Sequence, residues 1–244
     1  MADVLTVMRK EWQEYVLAGS GLKGGRIGLV IMLLVFGVLL PAQNGPGWIS
    51  SPAPLLAWAW VPLMLVSGVV ADSFAGERER HTLETLLASR LPDEAILLGK
   101  VAAAAAYGWA FALLSAVLSI VSVNAFHWEG RLLLFPATTA VSIPIFSLLT
   151  ALLAATAGVL VSLRAPTARQ ASQMLSIAVM VVLFVPIFGI RALPEEMQAT
   201  LAASVLVADL RLTLGAAAVV LLLVDGALLS AGLLRFRRAR LTLD

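Results

Sequence analysis

The sequence predicts an all-α membrane protein with six transmembrane helices, and three observations carry that prediction. First, 60% of the 244 residues are hydrophobic and only 13% are charged, about half the ~25% of ordinary soluble domains. The mean hydropathy is +0.95, and a soluble chain of this length could not hide so much apolar surface from water. Second, the apolar residues gather into long runs joined by short polar connectors. Third, the basic residues concentrate on alternate connectors, as membrane topology requires.

Taken in order, residues 3–17 read as an amphipathic helix. Val4, Leu5, Met8, Trp12, Tyr15 and Val16 share one face, and Asp3, Arg9, Lys10, Gln13 and Glu14 lie largely on the other. Trp and Tyr favour the lipid headgroup level, so this segment is expected to lie along the membrane surface. It lacks the apolar core and small-residue cleavage site of a signal peptide. After the glycine-rich break "GSGLKGG", the first span is expected at 27–42, short of the ~20 residues a bilayer core requires. The uncharged "QNGPGWISSP" turns the chain into a second span at 53–71.

A charged loop follows, and a third span at 101–123. The uncharged run Leu132–Leu163 is too long for one straight crossing and contains Pro136 and Pro144. It reads as a short entry piece and a long fourth span, 137–163. The fifth span is expected at 171–190 and the sixth at 212–234, with residues 191–211 forming an interfacial or re-entrant helical piece between them. The whole chain, 1–244, reads as one transmembrane domain without an internal repeat.

Six crossings put both termini on one side. With the N-terminal segment, the 72–100 and 164–170 loops and the C-terminal tail on the cytoplasmic side, all of the 17 Lys and Arg residues except Arg131, Arg191 and Arg211 are cytoplasmic. A cell-membrane protein with both termini cytoplasmic is the expectation.

Several chemistries lack their residues. There is no cysteine, hence no disulfide, thiol nucleophile or Cys-based metal site. Two histidines, His81 and His127, stand at opposite ends of the third span and cannot form a histidine-rich metal site. No G-x-x-x-x-G-K-[ST] loop, G-x-S-x-G elbow or H-E-x-x-H helix occurs. "GLKGGRIG" is glycine-rich but lacks the Lys-Ser/Thr pair. The net charge of +2 gives no reason to expect nucleic acid.

The charged loop "GERERHTLETLLASRLPDEAILLGK" (76–100) is the most informative stretch. "ERERHTLETLLASR" has helical spacing, with Leu83, Leu86 and Leu87 on one face and Glu77, Arg80, His81 and Glu84 around much of the rest. Pro92 and a capping Asp93 are expected to restart a helix that leads into the third span. A small apolar face rimmed by both signs of charge suits docking against another protein.

This stretch resembles the loop between the second and third spans of type 2 ATP-binding cassette (ABC) transporter permeases. The resemblance is carried by Glu77, Arg78, Glu79, Thr82, Leu83, Glu84, Leu86, Leu87, Pro92, Ile96, Gly99 and Lys100, with His81 where the family more often has Gly. The surface "elbow" helix, the six spans and the helical piece before the last one extend it over the chain. The resemblance implies that residues 76–95 hold a coupling helix seated on a separate ATP-hydrolysing subunit. Glu77, Arg78, Glu79, Thr82, Leu83, Glu84 and Leu87 would make that contact, with Leu83 and Leu87 as apolar anchors. It also implies two permease copies (a homodimer or a close paralogue pair), two ATP-binding subunits holding the ATP and magnesium, and export of the substrate. No cofactor is expected in this chain itself, which would be a transporter subunit and not an enzyme.

Two intramembrane polar residues stand out. Asp225 lies in the middle of the sixth span, where a carboxylate is costly and by default functional; Gln173 lies near the start of the fifth. Both are candidates for a substrate path or dimer interface. Asp225 also supports an alternative, a secondary transporter driven by an ion gradient, against which the missing internal repeat counts.

Overall fold

A computed structural model describes residues 2–18, 23–51, 53–82, 90–200 and 209–236, and among these it is all helical. Six helices are long and apolar enough to cross a membrane. Span 1 comprises Lys23–Leu34, a π-helical turn Val35–Leu39 and Leu40–Asn44; spans 2 to 6 are Ala53–Glu79, Asp93–Phe126, Ala137–Ser162, Ala168–Arg191 and Leu210–Arg235. The N-terminal helix is Ala2–Ala18. A helical turn at 195–200 lies in the stretch expected to hold an interfacial piece, of which 201–208 fall outside the described residues.

The π turn in span 1 has a local cause. Pro41 cannot donate to the carbonyl four residues back, that of Gly37, and its ring crowds it. The wider turn relieves this: Leu40 N–H bonds to Val35 O, and the Gly37 carbonyl accepts from Ser122 Oγ of span 3 at 2.9 Å. Gly37 also permits the approach, since a Cβ there would stand 3.1 Å from Leu118 Cβ. Gly45, at φ 55°, then turns the chain into a short helix, Pro46–Ser50. The sequence predicts a turn-rich connector here. The helix forms because Trp48 and Ile49 bury themselves with Leu55, Trp58, Val123 and Ile143.

Span 2 is the axis of the bundle, packed mainly on spans 3, 4 and 5. Trp58, Val61, Val66, Val70 and Phe74 are buried along its length. Small residues let the neighbouring backbones close in. A side chain at Gly108 of span 3 would collide with Val66, and one at Gly158 of span 4 would stand 2.7 Å from Val70 Cγ1. Spans 1, 5 and 6 sit outside and expose apolar faces, among them Val30, Ile177 and Leu223.

The helix that holds span 2 continues past residue 71 to Glu79, so Glu77–Glu79 end that helix and do not begin a new one. The helix stops in a Schellman motif: Thr82 N–H bonds to Glu77 O at 2.9 Å and His81 N–H to Arg78 O at 3.1 Å. His81 takes the left-handed position of that motif at φ 54°, where glycine is the usual residue. Beyond the loop, the re-entry helix and span 3 are one helix of 34 residues, begun at Pro92, with Asp93 and Glu94 in its first turn. Pro92, not Asp93, occupies the cap position.

Candidate functional site

The charged groups of three elements converge where span 2 ends, at the same end of the bundle as the N-terminal helix. Lys100, two turns into span 3, is 1% exposed. Its ammonium donates to Glu11 Oε1 of the N-terminal helix, to Glu77 Oε1 of span 2 and to the Ser73 carbonyl, each at 2.9 Å. Those three acceptors match the three hydrogens of an ammonium. The same ammonium lies 5.1 Å from the centre of the Phe74 ring, within cation–π range.

Gly99 explains why the cluster can close. The N-terminal helix crosses span 3 there, and a Cβ at 99 would stand 2.6 Å from Val7 Cβ and 3.1 Å from the Val4 carbonyl. Glycine admits the crossing helix, and the adjacent lysine reaches across to it. The buried face of the N-terminal helix is therefore centred on Val7 and Glu11, while Leu5, assigned to the apolar face by its spacing, is 64% exposed. Asp3, Arg9, Lys10, Gln13 and Glu14 face outward as expected; the Val16 side chain lies outside the described part. Trp12 and Tyr15 pack on Tyr107 of span 3 at ring separations of 6.3 and 5.8 Å.

The rim of the cluster is also charged. Lys10 Nζ lies 3.4 Å from Glu14 Oε1 and 3.8 Å from Glu77 Oε1. Burial opposes its ammonium, yet the charges of Glu11, Glu14 and Glu77 outweigh burial and raise its pKa. Tyr15 donates to Glu11 Oε2 at 3.3 Å. Burial first, and the Glu11 charge second, push its phenol far above the usual tyrosine range.

A second set of contacts fastens span 2 to span 4. The Ser162 hydroxyl donates to Ala71 O at 3.0 Å and accepts from Phe74 N at 3.1 Å and Ala75 N at 3.0 Å. It thus stands at the rung joining Ala71 to Ala75 in span 2's own ladder. Arg78 donates to Ala165 O and Leu163 O at 2.8 and 2.9 Å, satisfying carbonyls left open where span 4 ends. Arg80 pairs with Asp72 at 2.8 Å across Gly76, where any side chain would collide with the Asp72 carboxylate.

The residues expected to contact a partner therefore divide. Glu77 is buried in the lysine cluster, and Arg78 is turned onto the end of span 4. Glu79 and Thr82 are exposed, Thr82 also bonding Glu77 O through its hydroxyl at 3.2 Å. Leu83, Glu84 and Leu87, like Leu86, lie outside the described residues. Gln173 faces outward from span 5. Asp225 is 8% exposed on span 6, and neither of its carboxylate oxygens has a hydrogen-bond partner. Span 5 packs mainly on span 2 and span 6 on span 4, so these two residues are not brought together.

Glu11 and Ser162 carry much of this geometry, and sequence reasoning singled out neither. The signal for Glu11 was an acidic residue inside the apolar stripe of an amphipathic helix. A serine in an uncharged span gives no such signal. Among the described residues no group of three or more His, Asp or Glu side chains could hold a metal ion.

Six helices long and apolar enough to cross a membrane, with an N-terminal helix clamped across the third, make this a multi-pass membrane protein. The chain belongs to the ABC-2 transporter family: residues 47–207 match the model described as ABC-2 family transporter protein. That family supplies the permease component of an ABC transporter, whose partner is a separate ATP-binding subunit. A search of curated proteins returned no match. The matched region includes Glu77 and Lys100, while Glu11 and Asp225 lie outside it.

Proposed function

We propose that this chain is the membrane-spanning subunit of an ATP-driven exporter, with both termini cytoplasmic. Two copies form the translocation path between them, and two ATP-binding subunits, holding the ATP and magnesium, dock on residues 76–95. The observation that carries this reading is the Glu11–Lys100–Glu77 cluster. It binds the N-terminal helix, the end of span 2 and the start of span 3 into one block, and the proposed docking loop is the connection between those two spans. A push on the loop then moves three elements together, which is what coupling requires.

Within this reading Leu83 and Leu87 anchor the partner, with Glu79, Thr82 and Glu84 at the rim. Glu77 and Arg78 act from behind, holding the loop's root to spans 3 and 4. Gln173, on an exposed face, faces the second copy. Leu83→Asp with Leu87→Asp should abolish co-purification of the ATP-binding subunit while the permease keeps its helicity. Full complex formation by that variant overturns the docking assignment.

Asp225 favours a second reading, transport driven by an ion gradient, because its buried carboxylate has no partner. The readings separate in proteoliposomes. Transport without ATP that Asp225→Asn abolishes supports the second; transport that needs ATP and survives Asp225→Asn supports the first.

A further inference from the structure

At the end of the bundle opposite the N-terminal helix, a groove of about 400 Å³ lies between spans 4 and 6. Its walls are Val141, Ile145 and Phe146 of span 4 and Leu214 and Ala218 of span 6, and Arg211 stands at its mouth. Seven residues of helix separate Arg211 from Ala218, so the groove runs roughly 10 Å along the axis, about a third of the ~30 Å hydrocarbon core. It therefore lies within one leaflet. Gly215 of span 6 borders this open space, and a Cβ there would meet nothing within 4 Å.

The ends of the groove differ chemically. Most of its wall is hydrocarbon, interrupted on span 4 by the hydroxyls of Thr138 and Ser142. Its mouth carries a guanidinium at the first turn of span 6. The Asp209 carboxylate next to it caps that helix, accepting from Arg211 N–H at 2.9 Å. A planar guanidinium suits a phosphate, and an arginine at a span end sits at headgroup level.

We propose that this groove is a binding site for an anionic phospholipid, with one acyl chain between spans 4 and 6 and the phosphate on Arg211. The site needs only a bilayer around the six spans and is independent of how transport is powered.

The test uses the purified full chain in detergent, with native mass spectrometry during titration by phosphatidylglycerol or by phosphatidylcholine of the same acyl chains. Wild type should hold one phosphatidylglycerol about five-fold more tightly than phosphatidylcholine, as one basic residue at the surface supports. Arg211→Gln should erase that preference, and Arg131→Gln, at the same end, should keep it. Gly215→Trp should fill the groove and lose the first lipid of either kind. Ala218→Phe is a second filling variant should the first fold poorly. A preference unchanged in Arg211→Gln, or a first lipid retained in both filling variants, overturns the site. So does loss of a dimer in place of a lipid, which would mean that a second copy fills the groove.

Discussion

The Lys100 ammonium and the Glu77 carboxylate meet 2.9 Å apart, 23 residues apart in sequence, with the whole charged loop strung between them. Glu11 meets the same ammonium at the same distance from the opposite side. Lys100 is the sole basic member of this set that is fully buried, with Lys10 half-exposed at the rim.

Removing Lys100 should therefore be far worse than removing the whole set. Lys100→Met leaves two buried carboxylates with only the half-exposed Lys10 beside them, at a cost of up to roughly 3–5 kcal/mol. The combined variant Glu11→Gln, Glu77→Gln, Lys100→Met should recover most of that. Thermal unfolding in detergent of single, double and triple variants measures the non-additivity.

His81→Gly should stabilise the chain or leave it unchanged. The left-handed position at φ 54° costs a β-carbon-bearing residue about 1–2 kcal/mol, partly offset by glycine's greater freedom in the unfolded state. A net gain under about 1 kcal/mol is expected. A melting temperature that falls would show that the imidazole makes a contact beyond the turn.

Gly99→Leu should lift the N-terminal helix off span 3, because Val7 and the Val4 carbonyl occupy the space. The absence of native cysteine allows a clean readout. A cysteine at position 7 should resist a water-soluble maleimide in the parent and react in Gly99→Leu. One at position 5, already exposed, should react equally in both.

Tyr15 should stay protonated well beyond the pH at which exposed tyrosine ionises, since burial and Glu11 raise its pKa above the ordinary 10.0. The sign follows from linkage: the neutral phenol stabilises the fold fully below pH 10, and the contribution is lost as pH rises from there toward the folded pKa. Ultraviolet titration of tyrosinate in wild type and Tyr15→Phe should show one late-titrating group missing from the variant.

Asp225→Asn should cost no stability and should raise it modestly, because the carboxylate is buried without a hydrogen-bond partner. Lower stability would show that a counter-charge is present in the assembled protein.

The six spans were legible because hydrophobic runs of bilayer length have few other uses. The charges of "GERER" place the end of the apolar run at residue 71, yet the span 2 helix continues through them to Glu79. Those charges are taken up by neighbours distant in sequence, Glu77 by Lys100 and Arg78 by carbonyls beyond span 4. Spacing along one helix carries no information about such partners. The π turn at Val35–Leu39 was hidden for the same reason, since it depends on Ser122 of another span accommodating the carbonyl that Pro41 leaves open. Gly99 and Lys100 were read as part of a loop pattern. Their shared purpose appears only when the N-terminal helix is seen crossing at that point.

The most direct test of coupling through the cluster is transport per ATP hydrolysed in proteoliposomes holding the permease and its ATP-binding subunit. The triple neutral variant Glu11→Gln, Glu77→Gln, Lys100→Met should still bind that subunit, because the proposed contact residues Glu79, Thr82, Leu83, Glu84 and Leu87 are untouched. Its transport per ATP should fall about ten-fold, within the usual range of coupling energies. An unchanged ratio, with the complex intact, would contradict the claim that the Glu11–Lys100–Glu77 cluster carries the motion from the loop into the bundle.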